Sequence, residues 1–349
     1  MLHPIVQEDI DQVTNQALPW DALINKQVLI TGANGFLPSY LVYSLLRLND
    51  KFNSGIKVVG LVRNEEKARQ RFDDLLLRKD FELLVQDVTQ PINTKLKFDF
   101  IIHAASQASP KYYGVDPVGT AAANTIGTYH LLKLAHEHSS SEFLYFSTSE
   151  VYGTVSPEQI PTREDYYGYL DPTNVRACYA ESKRLGETMC VSFMQQYKVP
   201  VKMVRPFHTY GPGMDLNDGR VYADFIADII HNRNIKMKSD GSAVRAFCYS
   251  ADATAGFFTV LLKGQNGQVY NVGNASGESS IISLAEKLVR LFPEKKLQVE
   301  KWESPQGTAY IPSTVQRNVP DTTKINALGW QATTAIETGF VRTILSYQA

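Results

Sequence analysis

The chain has 349 residues, of which 44% are hydrophobic and 20% charged, as in a globular protein large enough for one α/β unit or two lobes. Its net charge of −1 predicts no binding to nucleic acid or to acidic membrane surfaces. No apolar run has membrane-spanning length, and residues 1–25 lack the basic start and apolar core of a signal peptide. The three cysteines lack metal-ligand spacing and fit a reducing compartment, so we expect a cytoplasmic protein without a metal site.

Strands and helices are predicted to alternate as far as Arg205. Such alternation favours parallel strands joined by right-handed crossovers. The expected fold is therefore α/β, a Rossmann-type doubly wound parallel sheet with a smaller, partly interleaved C-terminal lobe. The predicted strands are 27–30, 57–62, 82–85, 98–103, 143–146 and 201–204, and the predicted helices are 40–48, 65–77, 120–136 and one around Tyr179.

A glycine-containing loop connects the first predicted strand to the first predicted helix. Glycines at 32 and 35 allow the backbone to approach a pyrophosphate, whose charge is stabilised at the helix N-terminus. Pro38 stands where a small residue usually lets helix and strand pack closely, and proline is acceptable in a first helical turn. The loop predicts dinucleotide binding through Gly32, Asn34, Gly35, Phe36 and Leu37.

The end of the second strand indicates which dinucleotide is bound. An acid at this place would bind the ribose hydroxyls of NAD, but the sequence has Arg63. Arginine can pair with the 2′-phosphate of NADP, so we predict that NADP(H) is preferred and NAD(H) is possible. A solvent-exposed arginine without a ligand is the alternative. After the third and fourth strands, Asp87, Val88 and Ala104 are expected to border the cofactor, and the alternative for Asp87 is a turn former without a ligand.

Tyr179 and Lys183 stand four residues apart and share one face of a predicted helix. A phenol and an ammonium placed together can transfer a proton, since the cation favours the phenolate and lowers the tyrosine pKa. Thr148, at the end of the fifth strand, would hydrogen-bond the same substrate oxygen. Beside a nicotinamide, this set suits hydride transfer at an alcohol or ketone. A helix-surface pair without function is the alternative.

Beyond Arg205, the predicted strands and helices no longer alternate regularly. Turn-rich segments around residues 211–213 and 217–219 precede a helix from Val221, a short strand near Ile235 and helices near Ser283 and Thr334. We predict an N-terminal extension (1–25), an NAD(P)-binding domain (26–205) and a substrate-binding lobe (206–349) that closes over the nicotinamide.

With these residues placed, the chain resembles the extended short-chain dehydrogenase/reductase family that modifies nucleotide-diphosphate sugars, and within it the UDP-glucuronate decarboxylases most. The resemblance covers residues 27–347 and implies an NAD(P)-dependent enzyme, a nucleotide-sugar substrate and a homodimer. The matching stretches are 103–106, 108–110, 124–128, 147–153, 176–179, 217–221 and 245–249.

The resemblance implies roles at carbon 4 of the sugar. Tyr179 would be the proton donor or acceptor, Lys183 would bind the nicotinamide ribose, and Thr148 would orient the oxygen. Glu150 and Arg245 match positions that assist decarboxylation, although Glu150 can simply shape the pocket and Arg245 can bind the diphosphate. The residues expected to contact the substrate are Ser106, Ser149, His208, Arg220 and Arg245.

Departures from the family pattern reduce the number of reactions that the chain is expected to catalyse. Ser149 replaces an acid that 4,6-dehydratases carry, which disfavours dehydration. His208 replaces a usual asparagine, so the sugar or its pose is expected to differ, unless His208 is a core residue.

The function expected first is NADPH-dependent reduction of a 4-keto nucleotide sugar, such as dTDP-4-dehydro-6-deoxyglucose, for O-antigen or other polysaccharide synthesis. This expectation depends on Arg63 binding the 2′-phosphate of NADP. The alternatives are UDP-glucuronate decarboxylase, a nucleotide-sugar 4-epimerase, and a dinucleotide sensor without catalysis, which intact Tyr179 and Lys183 disfavour.

Overall fold

The computed structural model describes residues 2–301 and 315–348, and strands alternate with helices through most of this part of the chain. The strands are β1 (Gln27–Thr31), β2 (Lys57–Val62), β3 (Phe81–Val85), β4 (Phe100–His103), β5 (Glu142–Phe146), β6 (Val201–Pro206), β7 (His208–Tyr210), β8 (Ile235–Met237), β9 (Val244–Tyr249), β10 (Val269–Val272), β11 (Glu278–Ser280), β12 (Val299–Lys301) and β13 (Arg317–Asn318). The helices are α1 (Pro4–Thr14), α2 (Phe36–Phe52), α3 (Glu65–Phe72), α4 (Pro117–His138), α5 (Ala177–Tyr197), α6 (Val221–Ile230), α7 (Ser250–Lys263), α8 (Ile281–Leu291), α9 (Thr323–Asn326) and α10 (Ile336–Leu345).

A seven-stranded parallel sheet forms the centre of the fold, in the order β10-β6-β5-β4-β1-β2-β3. Its central strands are almost continuously buried, as expected when helices cover both faces. The strand order reverses between β1 and β4, which opens a crevice at the carboxyl ends of these two strands. The predicted doubly wound α/β fold is confirmed.

Strand β10 was not expected from the sequence. It comes from the C-terminal part of the chain and pairs in parallel with β6, so the main sheet gains a seventh strand. Helix α7, also from that part, packs against β5, β6 and β10. The chain beyond residue 206 thus contributes to both the sheet and the smaller lobe.

Two helices have an end that lies four or more residues from the expected bound. Helix α2 begins at Phe36 instead of Tyr40, because Pro38 fits within the first turn, where its missing N–H is not needed. Helix α3 ends at Phe72, and a short 3-10 turn follows it.

The smaller lobe is built around a second sheet. Strand β9 pairs in parallel with β7 and β13 and antiparallel with β11. Two of the predicted substrate residues begin or nearly begin its strands, with His208 on β7 and Arg245 on β9. Residues 302–314 of the predicted lobe lie outside the described part of the chain.

The N-terminal segment contains a helix that packs into the body of the protein. Val6, Ile10 and Val13 of α1 are buried in the main core, and α1 contacts α2 and α7. Asp9 on the same helix is completely buried. Within residues 2–301 and 315–348, no helix combines the length and the apolar character needed to cross a membrane.

Candidate active site

The glycine loop leads from β1 directly into α2 at the sheet crevice. Gly32 has φ of +64°, and a Cβ there would lie 2.8 Å from the Cα of Ala105, so only glycine fits this turn. Gly35 is the N-cap of α2 and has no side chain that could cap the helix. The helix N-terminus therefore presents backbone N–H groups at the crevice, which fits the pyrophosphate of a dinucleotide.

The loop is supported from β4, the strand across the crevice. Thr31 Oγ1 accepts hydrogen bonds from the backbone N–H groups of Ala104 at 3.2 Å and Ala105 at 3.0 Å. Ala104 thus lies beside the glycine loop, as a residue bordering the cofactor should. Asn34, Phe36 and Leu37 are half-buried in the same loop and first helical turn.

Arg63, Asp87 and Val88 follow the neighbouring strands β2 and β3. Arg63 is exposed, and its Nη1 lies 4.0 Å from Oδ2 of Asp87. Val88 is buried and packs against Gly127 of α4. These residues are brought together at one end of the crevice, where the adenosine half of a dinucleotide would lie.

The end of β5 meets helix α5 at the expected catalytic residues. Tyr179 is 6% exposed and Lys183 is 2% exposed. Lys183 Nζ donates to the backbone oxygen of Phe146 at 2.6 Å, and the Thr148 hydroxyl is hydrogen-bonded with Tyr179. Thr148, Tyr179 and Lys183 therefore form one connected group.

The electrostatics of this group differ from the expectation that Lys183 lowers the pKa of Tyr179. Burial raises the pKa of Tyr179, the nearby Glu150 carboxylate raises it further, and the Thr148 hydrogen bond opposes the rise. Burial also lowers the pKa of Lys183 to about 7. Because both charged forms are desolvated, the protein favours a neutral Tyr179, and the Arg220 cation is the nearby charge that opposes the rise of its pKa.

Tyr113 and Arg176 complete the site, and Tyr113 was not predicted as a site residue. The ring of Tyr113 stacks on Tyr179 with centroids 5.1 Å apart, and the Arg176 guanidinium lies 5.7 Å from the Tyr113 ring centroid. Tyr113 lies in the loop before α4, far from α5 along the chain, so only the fold reveals the contact. Arg176 lies in the stretch that carried the family resemblance.

Glu150 lies among cationic side chains beside Tyr179. Burial raises its pKa, while Arg176, Arg220 and Arg245 and a hydrogen bond with Tyr113 all oppose the rise. Three arginines around one carboxylate leave this part of the cleft with a positive charge that an anionic substrate can balance.

Two of the arginines beside Glu150, Arg220 and Arg245, are held in different ways. Arg220 Nη1 pairs with Asp218 at 2.6 Å, and its Nη2 donates to Ala108 O at 2.9 Å. Arg245 is 8% exposed and donates to the backbone oxygens of Val244 and Val315. Both guanidinium groups are thus fixed by the protein before a substrate arrives.

Buried polar atoms mark the remaining substrate-side positions. Among the described residues, the Oγ of Ser106 and the Nδ1 of His208 have no hydrogen-bond partner. Ser149 Oγ accepts a hydrogen bond from Asn318 at 3.3 Å. Burial holds the pKa of His208 well below its usual value, and Arg245 and Arg220 lower it further, so the ring is neutral. A neutral imidazole can accept or donate a hydrogen bond to a sugar hydroxyl.

A parallel sheet with a glycine loop at its crevice, beside a Thr–Tyr–Lys group, defines an NAD(P)-dependent oxidoreductase of the short-chain dehydrogenase/reductase class. Residues 28–273 match the NAD-dependent epimerase/dehydratase family. The chain belongs to this family, and the predicted resemblance is confirmed.

Relatives of known activity include UDP-glucuronic acid decarboxylases. The chain is 36% identical to UDP-glucuronic acid decarboxylase 1 of Xenopus tropicalis over 91% of this chain and 71% of that protein. It is 32% identical to UDP-glucuronic acid decarboxylase 6 of Arabidopsis thaliana over 90% of this chain and 87% of that protein.

Solved structures share the fold at lower identity. UDP-glucose 4-epimerase from Thermotoga maritima superposes with a TM-score of 0.78 at 22% identity, covering 92% of this chain and 98% of that one. UDP-glucuronic acid 4-epimerase from Bacillus cereus, solved with UDP-glucuronic acid and NAD, gives 0.74 at 22% identity over 92% and 98%.

Proposed function

We propose that this enzyme is a nucleotide-sugar decarboxylase that oxidises UDP-glucuronate, or a closely related uronic acid, at carbon 4 and releases its carboxylate as carbon dioxide. The observation that carries the proposal is Glu150 beside Tyr179, surrounded by Arg176, Arg220 and Arg245. The UDP-glucuronic acid decarboxylases similar to this chain over nine tenths of its length support it. This proposal replaces ketone reduction as the first hypothesis, because reduction needs no carboxylate-binding charge.

The Thr–Tyr–Lys group would carry the redox step. Bound NAD would supply the hydride acceptor, and the glycine loop at Gly32 and Gly35 would hold its pyrophosphate. Tyr179 would take the proton of the carbon-4 hydroxyl, which Thr148 orients by hydrogen bonding. Lys183, fixed by the Phe146 carbonyl, would favour the phenolate while it is charged.

The arginines would act on the carboxylate and the diphosphate. A ketone at carbon 4 stands β to the carbon-6 carboxylate, so the electrons of the breaking carbon–carbon bond can enter the ketone. Arg245 and Arg220, held by backbone oxygens, would bind the anionic groups without moving. Glu150, whose pKa burial raises, would hold a proton close to the sugar. Return of the hydride would then leave the cofactor unchanged.

Net reduction of a 4-keto nucleotide sugar, such as dTDP-4-dehydro-6-deoxyglucose, is the second candidate. It is favoured by Arg63, which is exposed at the end of β2, where an arginine suits the 2′-phosphate of NADP. A preference for NADP would fit an enzyme that consumes its cofactor. The O-antigen role and the cytoplasmic location stay predictions.

The homodimer also stays a proposal. Helices α4 and α5 pack against each other. They expose the apolar side chains Ile126, Tyr129, Leu185 and Val191, each between 44% and 48% exposed. A second copy of this chain would cover such a face.

One comparison of substrates separates the two candidates. The purified protein is incubated with UDP-glucuronate without reductant, and separately with the 4-keto sugar and NADPH while absorbance at 340 nm is followed. We expect carbon dioxide and UDP-xylose from the first incubation. Stoichiometric NADPH loss with the ketone, together with no turnover of UDP-glucuronate, would contradict decarboxylation and support reduction.

A further inference from the structure

A buried ion pair lies directly behind the catalytic pair. Glu187 follows Lys183 by four residues and Tyr179 by eight, so all three lie on one face of α5. Its carboxylate accepts two hydrogen bonds from Arg205 on β6, from Nε at 2.8 Å and from Nη2 at 2.7 Å. The side chains of Arg205 and Glu187 are only 8% and 14% exposed. This pair is a fixed, bidentate contact between α5 and the sheet.

The same carboxylate also holds the end of β5. Ser147 Oγ donates a hydrogen bond to Oε1 of Glu187. Ser147 lies between Phe146, whose backbone oxygen accepts from Lys183, and Thr148, which is hydrogen-bonded with Tyr179. Glu187 therefore joins helix and strand at the residue between the two contacts that fix the catalytic group.

The Glu187 carboxylate interacts electrostatically with Lys183, whereas most other groups around Lys183 are neutral. Burial raises the pKa of the Cys190 thiol on α5 well above its usual value, so that group carries no charge. Burial, with Lys183 nearby, lowers the pKa of His103 on β4 well below its usual value, so that ring is neutral too.

Three further groups surround the Lys183 ammonium. The ammonium lies 5.1 Å from the ring centroid of Tyr145 on β5 and 6.0 Å from that of Tyr179. The pKa of each phenol is raised by burial, so both are neutral. The cation of Arg205 on β6 is paired with Glu187. Glu187 thus supplies the negative charge that opposes the desolvation of Lys183.

We propose that Glu187 is a positioning residue of the catalytic pair, which keeps the Lys183 ammonium charged and fixes the end of β5 against α5. Arg205 and Ser147 hold the carboxylate in place for both tasks. The proposal rests on the proposed roles of Tyr179 and Lys183, and it holds whichever sugar the enzyme takes.

The first test measures Lys183 itself in the protein without substrate. The amine is observed by NMR of protein labelled with ¹⁵N-lysine, and its signal is assigned by its loss in Lys183→Arg. In Glu187→Gln, which keeps the side-chain shape, we expect Lys183 to lose its proton at a lower pH than in the wild type. Glu181→Gln is the matched control, because Glu181 lies on the same helix with its side chain 36% exposed. An unchanged Lys183 titration in folded Glu187→Gln would overturn the proposal.

The second test separates positioning from stability. Ser147→Ala removes one hydrogen bond and leaves the Glu187–Arg205 pair intact, so folding should be preserved. On whichever substrate is turned over, kcat should fall about 2- to 10-fold, as for the loss of one hydrogen bond, with KM nearly unchanged. For Glu187→Gln the fall should be about 10- to 100-fold, because a small displacement of reacting groups is enough.

Two further outcomes test the proposed role of Glu187: rescue by a charged variant, and the case in which Glu187→Gln does not fold. Glu187→Asp retains the charge, so it should restore the Lys183 titration toward that of the wild type. Should Glu187→Gln not fold, wild-type kcat in Ser147→Ala would overturn the proposal, and reduced kcat at wild-type Tm would support it. Because the NMR titration needs no substrate, failure of this inference is distinguishable from failure of the decarboxylase proposal.

Discussion

Replacing Asp9 by asparagine should destabilise the protein strongly. Asp9 is completely buried on α1, and its carboxylate accepts hydrogen bonds from Tyr40 of α2 at 3.1 Å and from Tyr249 of β9 at 2.8 Å. Arg342 of α10 donates to the same carboxylate at 2.7 Å. One charge thus joins the N-terminal helix, the cofactor-loop helix and the smaller lobe.

The magnitude follows from this geometry. Asparagine keeps the shape but removes the buried counterion of Arg342, which retains Glu8 at 2.9 Å as a partner. Breaking a buried pair costs about 3–5 kcal/mol of unfolding free energy, which is the upper limit here. With an unfolding entropy of ~2.1 cal/mol/K per residue, a chain of 349 residues loses about 1.4 °C for each kcal/mol, so the melting temperature should fall by up to about 4–7 °C.

The assay is thermal unfolding of Asp9→Asn followed by circular dichroism. Asp11→Asn is the control: it makes the same chemical change two residues further on, in a pair with Arg47 whose side chains are 33% and 35% exposed. That variant should lose only about 0–1 kcal/mol. Equal melting temperatures for the two variants would refute the claim that the buried Asp9 carboxylate stabilises the fold by joining α1 to α2, β9 and α10.

Three further predictions concern the site. Because burial lowers the pKa of Lys183 from 10.5 to about 7, the unfolded chain binds more protons between these values. The wild type should therefore gain stability relative to Lys183→Met as pH rises from about 7 to 10.5, by at most about 5 kcal/mol. Urea unfolding at several pH values measures this gain, and a difference in unfolding free energy that does not change with pH would contradict it. Arg63→Asp should lower the ratio of NADPH to NADH affinity about tenfold or more in fluorescence titrations, whereas Arg69→Asp, on the exposed surface of α3, should not. His208→Asn should alter KM more than kcat, since its Nδ1, which has no hydrogen-bond partner among residues 2–301 and 315–348, would contact the sugar. Unchanged KM values would assign His208 to the core.

The sequence predicted local features well where a short segment has one clear environment. Strand β2 was predicted at 57–62 and has those bounds, because its buried apolar run is uninterrupted. The pair Tyr179 and Lys183 was found from helical spacing, which is set by the backbone alone. In the same way, Gly32 was found because a strand precedes it and a helix follows.

Features that depend on distant parts of the chain were not predictable in this way. Strand β10 has four residues, too few for a periodic signal, and only its pairing with β6 defines it. The sequence does not indicate that Asp9 is buried, because its three partners lie far away along the chain, on α2, β9 and α10. Tyr113 stacks on Tyr179 although it lies in a separate loop, and the raised pKa of Tyr179 follows from burial that the sequence does not state.

The central claim is that Tyr179 and Lys183 serve an oxidation at carbon 4 that is reversed after the carboxylate leaves. The most direct measurement uses UDP-glucuronate with deuterium at carbon 4, incubated with the enzyme and a trace of NAD, and mass spectrometry of the product. The account predicts one carbon dioxide per sugar and a UDP-pentose that retains the deuterium, with neither formed by Tyr179→Phe. An intact substrate, or a pentose that has lost the deuterium, would contradict it.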